Sequence, residues 1–260
     1  MVRKSLYLPL FLLSLSVLLH VWLSYSLQFI PWPEMLTYPW LISQRYKLYK
    51  DIILPYTPGL IYLLSTYYRI TNFSVASLHF ISIIFFVVTD VMLFIVSSRM
   101  HSIKMALYSV LFFVVVMFFF EGNTLWFDSA LVPLLLLLIF TISRVSRTQE
   151  NIGPIIIGAL LFGSLIVIKQ TSLVFILPAA IAIKNKKHLF IFICCAALPI
   201  IMLSIWFWLQ RIFPEYFYWS WLHPLFVHYR LPGFQLPPTA AQLVGVLVFF
   251  YTAFFIRKNI

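Results

Sequence analysis

The amino-acid sequence predicts an all-α protein, a polytopic bundle of transmembrane helices. Hydrophobic residues make up 63% of the 260-residue chain and charged residues only 10%, and the mean hydropathy is +1.00. A soluble domain carries about 25% charged residues, because its surface must be polar enough to stay dispersed. This composition excludes a soluble globular protein, and we therefore expect lipid to be the solvent around most of the chain.

The charge balance is basic, with 18 Lys and Arg residues against 7 Asp and Glu residues. The basic residues fall in short clusters between apolar runs, as they do in the cytoplasmic loops of membrane proteins. Membrane lipids are therefore the expected surroundings, and a nucleic-acid partner is not expected. The two cysteines, Cys194 and Cys195, are neighbours inside an apolar run, which supports neither a disulfide between them nor a metal site.

The basic clusters predict the topology, because Lys and Arg collect in cytoplasmic loops. Arg3 and Lys4 precede an apolar run that reaches Phe29, which predicts a first span with its amino end inside. If each later cluster is cytoplasmic, an even number of crossings separates one from the next. These clusters are Arg99, His101 and Lys104; Arg144 and Arg147; Lys184, Lys186 and Lys187; and Arg257 and Lys258.

About eight spans follow from this topology, together with interfacial helices in the first outer loop. Residues 153–183 must supply two of the spans, and a leg of about 15 residues covers roughly 23 Å of the ~30 Å hydrocarbon core. We therefore expect Lys169 and Gln170, near the apex of these legs, to lie in a protein-lined, wet recess. Residues 57–70 are interpreted as interfacial or re-entrant, with a hidden pair of crossings as the alternative. The other spans are placed at 75–98, 105–120, 126–143, 189–210 and 241–256.

Acidic residues concentrate on the expected outer face, while Asp90 lies inside a predicted span. A carboxylate in the proline-rich first outer loop is a candidate general base for an acceptor hydroxyl. The alternative is an aromatic interfacial belt that carries solvated acids. The outer acids are Glu34, Asp51, Glu121, Asp128 and Glu215.

Three motifs resemble the GT-C superfamily of integral membrane glycosyltransferases, most closely the amino-terminal module of bacterial enzymes of the mannosyltransferase type. Trp40-Leu-Ile-x-Gln, Leu48-Tyr-Lys-Asp51 and Pro55-Tyr-x-Pro58 are similar to that group's first outer loop. Glu121-Gly-Asn-x-Leu-Trp-Phe-Asp128 resembles its second outer loop, and Gly158-x4-Gly163-x5-Lys169-Gln170-Thr171 resembles its Gly-rich helix. The motifs stand in the family's order and cover most of residues 1–180.

The resemblance implies an enzyme of the cytoplasmic (inner or plasma) membrane with its active site on the outer face. It implies inverting transfer of a sugar from a polyprenyl-phosphate donor to a lipid, glycan or protein acceptor. Glu34 is the implied general base and Asp51 the second candidate. Arg45 stands where the family usually has glycine, so we expect the loop to turn differently there, which affects the placement of Glu34.

Lys169 is the expected partner of the donor phosphate, because an ammonium at membrane depth needs an anion. The alternative is a lysine that extends to the head groups without a catalytic role. No metal-ligand spacing and no cofactor is apparent, and a divalent cation stays open. The further substrate-binding candidates are Gln170, Glu121, Asp128, Arg230 and His223; holding loops, solvation or an aromatic belt are their alternative roles.

One transmembrane domain over residues 1–260 is expected, truncated at its carboxyl end relative to longer GT-C enzymes. The rival functions are a polyprenyl-lipid flippase or transporter and a non-catalytic membrane subunit. The enzyme hypothesis expects Glu34, Asp51, Asp128 and Lys169 to gather in one pocket at the outer leaflet. A subunit without catalytic function has no reason to gather them.

Overall fold

The computed structural model describes residues 7–120, 123–145 and 152–226. These ranges are helical, and their one extended pairing is an isolated bridge between Leu48 and Ile52, which confirms the all-α prediction for the described part of the chain. The helices are α1 (Tyr7–Ser26), α2 (Glu34–Ser43), α3 (Gly59–Ile70), α4 (Val75–Met100), α5 (Ile103–Phe120), α6 (Phe127–Val145), α7 (Gly153–Ile168), α8 (Ile176–Ala182), α9 (Lys186–Leu209), α10 (Phe213–Phe217) and α11 (His223–Phe226).

Four of these helices are long and apolar enough to cross a membrane, namely α1, α4, residues Phe127–Arg144 of α6, and α9. Shorter apolar helices lie at Ile103–Phe118, Gly153–Ile168 and Gln170–Ala182. The chain is therefore an integral membrane protein. The total of about eight spans stays a prediction, and the last predicted span, 241–256, lies outside the described residues.

The break expected between two short legs is present at Lys169. Helix α7 has 16 residues, or about 24 Å at 1.5 Å per residue, less than the ~30 Å core. Lys169 then adopts an extended backbone (φ −151°, ψ 120°). The chain continues as a 3₁₀ segment, Gln170–Phe175, and as α8. Residues 57–70, the ambiguous stretch, form helix α3 from Gly59 onward.

The chain divides into two compact units, called unit 1 and unit 2 below. Unit 1 comprises residues 1–45 and 60–137, and unit 2 comprises residues 46–59 and 138–260. In unit 1, α4 packs on α5, and α1 packs on both; in unit 2, α7 packs on α9. The expectation of one domain over residues 1–260 stays a prediction.

Helix α1 of unit 1 buries polar residues and exposes apolar ones. Its buried residues are Ser16, His20 and Ser24, which follow one another at intervals of four and so share a helix face. Phe11 and Trp22 are 63% and 61% exposed. This distribution is the one expected when the surrounding solvent is hydrocarbon and polar groups must find partners inside the protein.

In unit 2, a glycine sets the crossing of α7 and α9. A Cβ atom added at Gly163 would lie 2.9 Å from carbons of the Pro199 ring and closer still to the carbonyl oxygen of Ala196. Only the absence of a side chain permits this approach, as in other close helix pairs within membranes. Phe162 and Phe192 stack beside the crossing, with ring centroids 5.6 Å apart.

Candidate active site

The loop at residues 46–59 of unit 2, called the clamped loop below, begins with a tight turn that Asp51 closes. The Lys47 backbone N–H donates to Asp51 Oδ2 at 2.7 Å, and the Asp51 N–H donates to the Lys47 carbonyl at 2.8 Å. The Tyr49 N–H donates to the Ile52 carbonyl at 2.7 Å. Asp51 itself is exposed. The structure thus gives this carboxylate a contact that shapes the turn, and its catalytic role stays a prediction.

Tyr49 anchors the turn to the interior of unit 2. Its side chain is 1% exposed although its backbone is left-handed, with φ 71°, a conformation that a bulky residue rarely adopts. The ring meets the rings of Phe207 and Tyr216 edge-on, at 5.3 Å from each. The hydroxyl donates to the carbonyl of Tyr56 at 2.8 Å. These contacts hold the unfavourable backbone conformation in place.

Gln170 holds the second half of the clamped loop with both ends of its side-chain amide. The Thr57 N–H donates to Gln170 Oε1 at 3.1 Å, and Gln170 Nε2 donates to the Pro55 carbonyl at 2.8 Å. The Thr57 hydroxyl donates at 2.6 Å to the carbonyl of Ile166, which is one of the last carbonyls of α7 and has no partner within the helix. The structure therefore assigns Gln170 a positioning contact, and its predicted contact with substrate stays a prediction.

Gly59 explains why the clamped loop approaches α7 so closely. A Cβ atom at this position would lie 2.7 Å from the carbonyl oxygen of Val167, nearer than non-bonded atoms approach. Thr57 and Gly59 were not among the predicted site residues, and Tyr56 was noted only as part of the Pro55-Tyr-x-Pro58 motif, without a role. The sequence did contain a signal for the role of Thr57. Pro55 and Pro58 have no backbone N–H, so only Tyr56 and Thr57 can donate backbone hydrogen bonds between them.

Lys169 lies directly beside this loop. Its ammonium nitrogen stands 5.4 Å from the centroid of the Tyr56 ring, within the range of a cation–π contact. The lysine and the tyrosine are both half-buried. The Tyr56 carbonyl also accepts from Ser220 Oγ at 3.2 Å. A fixed ammonium on an aromatic ring, at a helix break, is a group that can bind a phosphate oxygen.

Glu34 lies in unit 1, in the first turn of α2, where the helix dipole favours a negative charge. Its Oε2 atom is buried, and no other described residue forms a hydrogen bond with it. Burial and, second, the charge of Glu34 raise the pKa of the nearby Tyr38 phenol. The next residue is fixed, since the Tyr68 hydroxyl donates to the Met35 carbonyl at 3.2 Å. A carboxylate oxygen without a bonding partner can accept a proton.

Arg45 follows the last residues of α2 with a left-handed backbone, φ 70°. Its N–H donates to the Ile42 carbonyl at 3.0 Å, as at many helix ends where glycine takes this position. The arginine therefore adopts the conformation that glycine favours. The replacement of glycine by arginine therefore does not by itself require the different turn that we expected here. In this left-handed conformation an arginine is more strained than a glycine.

The other predicted site residues are distributed over both units. Asp128 is exposed in the first turn of α6 and borders a cavity of about 180 Å³ in unit 1. His223 begins α11 in unit 2, its ring 4.9 Å from that of Trp219. Glu121 and Arg230 lie outside the described residues. Within the described ranges, no three His, Cys, Asp or Glu side chains form a group able to hold a metal ion.

Unit 2 thus brings Asp51, Gln170 and Lys169 to one loop and its helix break, whereas Glu34 and Asp128 belong to unit 1. The predicted gathering of all these side chains in one pocket stays a prediction. Asp90, which the sequence placed inside a span, is buried in α4 and forms a hydrogen bond with His20 of α1. The sequence predicted the position of Asp90 inside a span but not its histidine partner.

Comparison with known families matches residues 55–208 to the family described as dolichyl-phosphate-mannose-protein mannosyltransferase. The match covers more than half of the 260 residues and includes Lys169 and Gln170, while Glu34 and Asp51 precede it. No curated protein and no solved structure matches the chain. The resemblance to GT-C enzymes of the mannosyltransferase type is thereby confirmed. The chain belongs to the dolichyl-phosphate-mannose-protein mannosyltransferase family and is a membrane glycosyltransferase of this type.

Proposed function

We propose that this protein transfers a sugar of the mannose type from a polyprenyl-phosphate donor to a hydroxyl group of a lipid, glycan or protein acceptor. The acceptor oxygen loses its proton to a carboxylate and attacks the anomeric carbon from the face opposite the phosphate. The bond between the anomeric carbon and the phosphate oxygen breaks, and polyprenyl phosphate leaves with the bonding electrons. The configuration at the anomeric carbon is therefore inverted.

The observation that carries this proposal is Lys169 at the helix break, inside the segment that matches the family. The leaving phosphate gains negative charge as the bond breaks, so a fixed ammonium beside it lowers the barrier. The Lys169 ammonium lies over the Tyr56 ring, and the loop that carries Tyr56 is bonded to the end of α7 and the residues after it through Thr57 and Gln170. This arrangement supports a phosphate partner, since the cation is pre-positioned and costs little to organise.

Glu34 is proposed as the general base. Its Oε2 atom forms no hydrogen bond with any described residue, which leaves a lone pair for the acceptor proton. Asp51 is the second candidate, but one of its oxygens already accepts from the Lys47 N–H. This difference favours Glu34.

The donor is proposed to approach from the outer leaflet of the cytoplasmic membrane, where its prenyl chain stays in lipid. Aromatic side chains around Trp219 and His223 are proposed to pack against the sugar or the prenyl chain. Glu121, Asp128 and Arg230 are proposed to contact donor or acceptor. The proposed chemistry requires no cofactor, and a divalent cation would act on the phosphate if one is needed.

The test is to incubate the purified full chain in lipid nanodiscs with labelled polyprenyl-phosphate-mannose and a mixture of acceptors. The proposal expects polyprenyl phosphate to be released together with a product whose anomeric configuration, read by NMR, is opposite to that of the donor. A product with retained configuration would contradict the inverting mechanism. Movement of intact donor between leaflets of a vesicle without any release would instead support the flippase.

A further inference from the structure

A buried ionisable pair links α1 to α4 inside the membrane-spanning part of unit 1. His20 Nδ1 and Asp90 Oδ2 are 2.8 Å apart, and the side chains are 1% and 0% exposed. The histidine ring stacks on Phe86 at 5.4 Å and meets Phe113 and Phe118 edge-on. No described residue forms a hydrogen bond with the remaining polar atoms, His20 Nε2 and Asp90 Oδ1. Such a pair is expensive in hydrocarbon and is therefore expected to have a function.

The composition of the buried face of α1 shows why the pair matters for this helix. All three of its buried residues are polar, while large apolar residues such as Phe11, Leu18 and Trp22 are exposed. Within a bilayer, apolar side chains are as well solvated by lipid as by a neighbouring helix, so apolar burial gives little preference for a docked helix. The hydroxyls of Ser16 and Ser24 bond to carbonyls of α1 itself. His20 is then the side chain on this face that bonds to another helix.

The carboxyl end of α1 is fixed by a second set of hydrogen bonds. Asn123 Nδ2 donates to the carbonyls of Ser24 and Leu27, at 3.1 Å each. The ring of His79 on α4 contacts the Ser24 carbonyl through Nε2 at 3.0 Å. These carbonyls have no helical partner at the end of α1, so the contacts satisfy them and fix where the helix ends.

Helix α2, with Glu34 in its first turn, follows this fixed end after a short connection. Within that connection, the ring of Trp32 contacts Trp126 at 4.7 Å. The Tyr68 hydroxyl bonds to the Met35 carbonyl just beyond Glu34. Glu34 therefore lies between two anchored points of unit 1, the end of α1 on one side and the Tyr68 contact on the other.

We propose that His20 and Asp90 are positioning residues: their hydrogen bond sets the axial position of α1 on α4 and thereby places Glu34 for proton transfer. The proposal rests on the proposed function of Glu34 as general base. A displacement of a reacting group by 1 Å can lower a rate by about 10²-fold, so loss of the pair is expected to lower kcat rather than donor affinity.

The test compares Asp90→Leu with Asp90→Asn in the full chain, in nanodiscs, with polyprenyl-phosphate-mannose as donor. Asparagine cannot carry a titrating proton, but its carbonyl oxygen still accepts from the His20 N–H. We expect Asp90→Leu to lower kcat by about 10²-fold with the donor KM within about threefold of wild type. Asp90→Asn should keep kcat within about threefold and an unchanged pH profile. Ser82→Ala is the matched control, since the Ser82 hydroxyl is buried on α4 and bonds to the Leu78 carbonyl of the same helix.

A second readout reports helix docking without any activity measurement. Ser24→Cys, in a background where Cys194 and Cys195 are replaced by alanine, places a thiol on the buried face of α1. We expect a maleimide to label this thiol slowly in the Asp90→Asn background and several times faster with Asp90→Leu, because an undocked α1 exposes it. Should Asp90→Leu fail to fold, His20→Gln and His20→Met replace the pair of variants, since glutamine donates to Asp90 and methionine does not.

Three outcomes would overturn the inference in whole or in part. If Asp90→Asn loses as much kcat as Asp90→Leu, the pair acts by carrying a proton and not by positioning. If Asp90→Leu keeps wild-type kcat and a protected thiol, the pair does not dock α1. If the wild type transfers no sugar from polyprenyl phosphate, the proposed function and the positioning of a catalytic base fail together, while the labelling still decides whether the pair docks α1.

Discussion

Units 1 and 2 differ in how they surround their candidate charged residues. In unit 1, an acid on α4 is buried against a histidine, and Glu34 has a buried oxygen without a hydrogen-bond partner among the described residues. In unit 2, the Lys169 ammonium lies over the Tyr56 ring. The loop beside it is held by hydrogen bonds to the Gln170 amide and from the Thr57 hydroxyl, and Gly59 allows it to approach α7 closely. Unit 1 thus contains the proposed general base, and unit 2 contains the proposed partner of the donor phosphate. If both proposals hold, proton transfer and phosphate binding depend on residues from different parts of the chain.

The largest expected effect separates the two candidate bases. Glu34→Gln removes the proton acceptor of unit 1 and is expected to lower the single-turnover rate by about 10²- to 10⁴-fold. Asp51→Asn is expected to change this rate by less than about tenfold. One oxygen of Asp51 already accepts the hydrogen bond from the Lys47 N–H that closes the turn, and an asparagine oxygen can accept the same bond. The measurement is release of labelled polyprenyl phosphate at saturating donor. A larger loss in Asp51→Asn than in Glu34→Gln would move the base to unit 2.

The second prediction concerns the cation of unit 2. Lys169→Ala is expected to weaken binding of polyprenyl phosphate by about 10- to 100-fold, the usual range for a lost hydrogen bond to a charged group. Lys169→Arg keeps the charge and serves as the matched control. The measurement is equilibrium binding of labelled polyprenyl phosphate. Equal affinity in Lys169→Ala and wild type would show that the lysine has only a structural role.

The third prediction compares one glutamine in each unit. Gln170→Leu leaves the Thr57 N–H and the Pro55 carbonyl without partners and is expected to destabilise the protein by about 1–3 kcal/mol. Gln44 is exposed, and its side chain makes one contact of 3.4 Å, with Ser43 Oγ. Gln44→Leu should therefore change stability by less than about 0.5 kcal/mol. Thermal unfolding in detergent measures both, and equal shifts would mean that the clamped loop does not depend on Gln170.

The fourth prediction uses the strained backbone at the end of α2. A left-handed conformation costs an L-residue other than glycine about 1–2 kcal/mol, and glycine loses part of this advantage through its freer unfolded chain. Arg45→Gly is therefore expected to stabilise the protein by roughly 0.5–1 kcal/mol. A lower unfolding temperature for Arg45→Gly than for wild type would show that the arginine side chain makes a contact that outweighs the strain.

The smallest effect is a change in a tyrosine pKa. Burial, and then the charge of Glu34, raise the pKa of Tyr38, so the neutral phenol is favoured in the folded protein. The folded state is stable with a neutral Tyr38 phenol. This contribution to the free energy of unfolding is fully present below pH about 10 and is lost as the pH rises through the folded-state pKa. Glu34→Gln should lower the Tyr38 pKa, as read from difference titrations against Tyr38→Phe. An unchanged Tyr38 pKa in Glu34→Gln would show that the charge of Glu34 does not act on this phenol.

Sequence reasoning was most successful where a single stretch of chain determines the structure. Polar residues between two apolar legs predicted the helix break at Lys169, and the structure has it at that residue. The apolar run after Arg3 and Lys4 predicted the first helix, which is described over Tyr7–Ser26. Both features depend on local composition and on the length needed in a bilayer.

Pairings between distant residues could not be predicted in this way. Gln170 and Thr57 are 113 positions apart, and His20 and Asp90 are 70 apart. Their contact depends on how helices pack, which one sequence does not specify. Ser16, His20 and Ser24 form a polar stripe on an apolar helix, a pattern that was not used in the predictions above although it is typical of a face turned toward the protein.

The proposed roles of Glu34 and Lys169 are tested most directly by one donor titration. Steady-state release of polyprenyl phosphate is measured against donor concentration for wild type, Glu34→Gln and Lys169→Ala. We expect Glu34→Gln to lower kcat by at least about 10²-fold with an unchanged donor KM, and Lys169→Ala to raise that KM by at least about tenfold. Wild-type kcat in Glu34→Gln together with wild-type KM in Lys169→Ala would contradict the account.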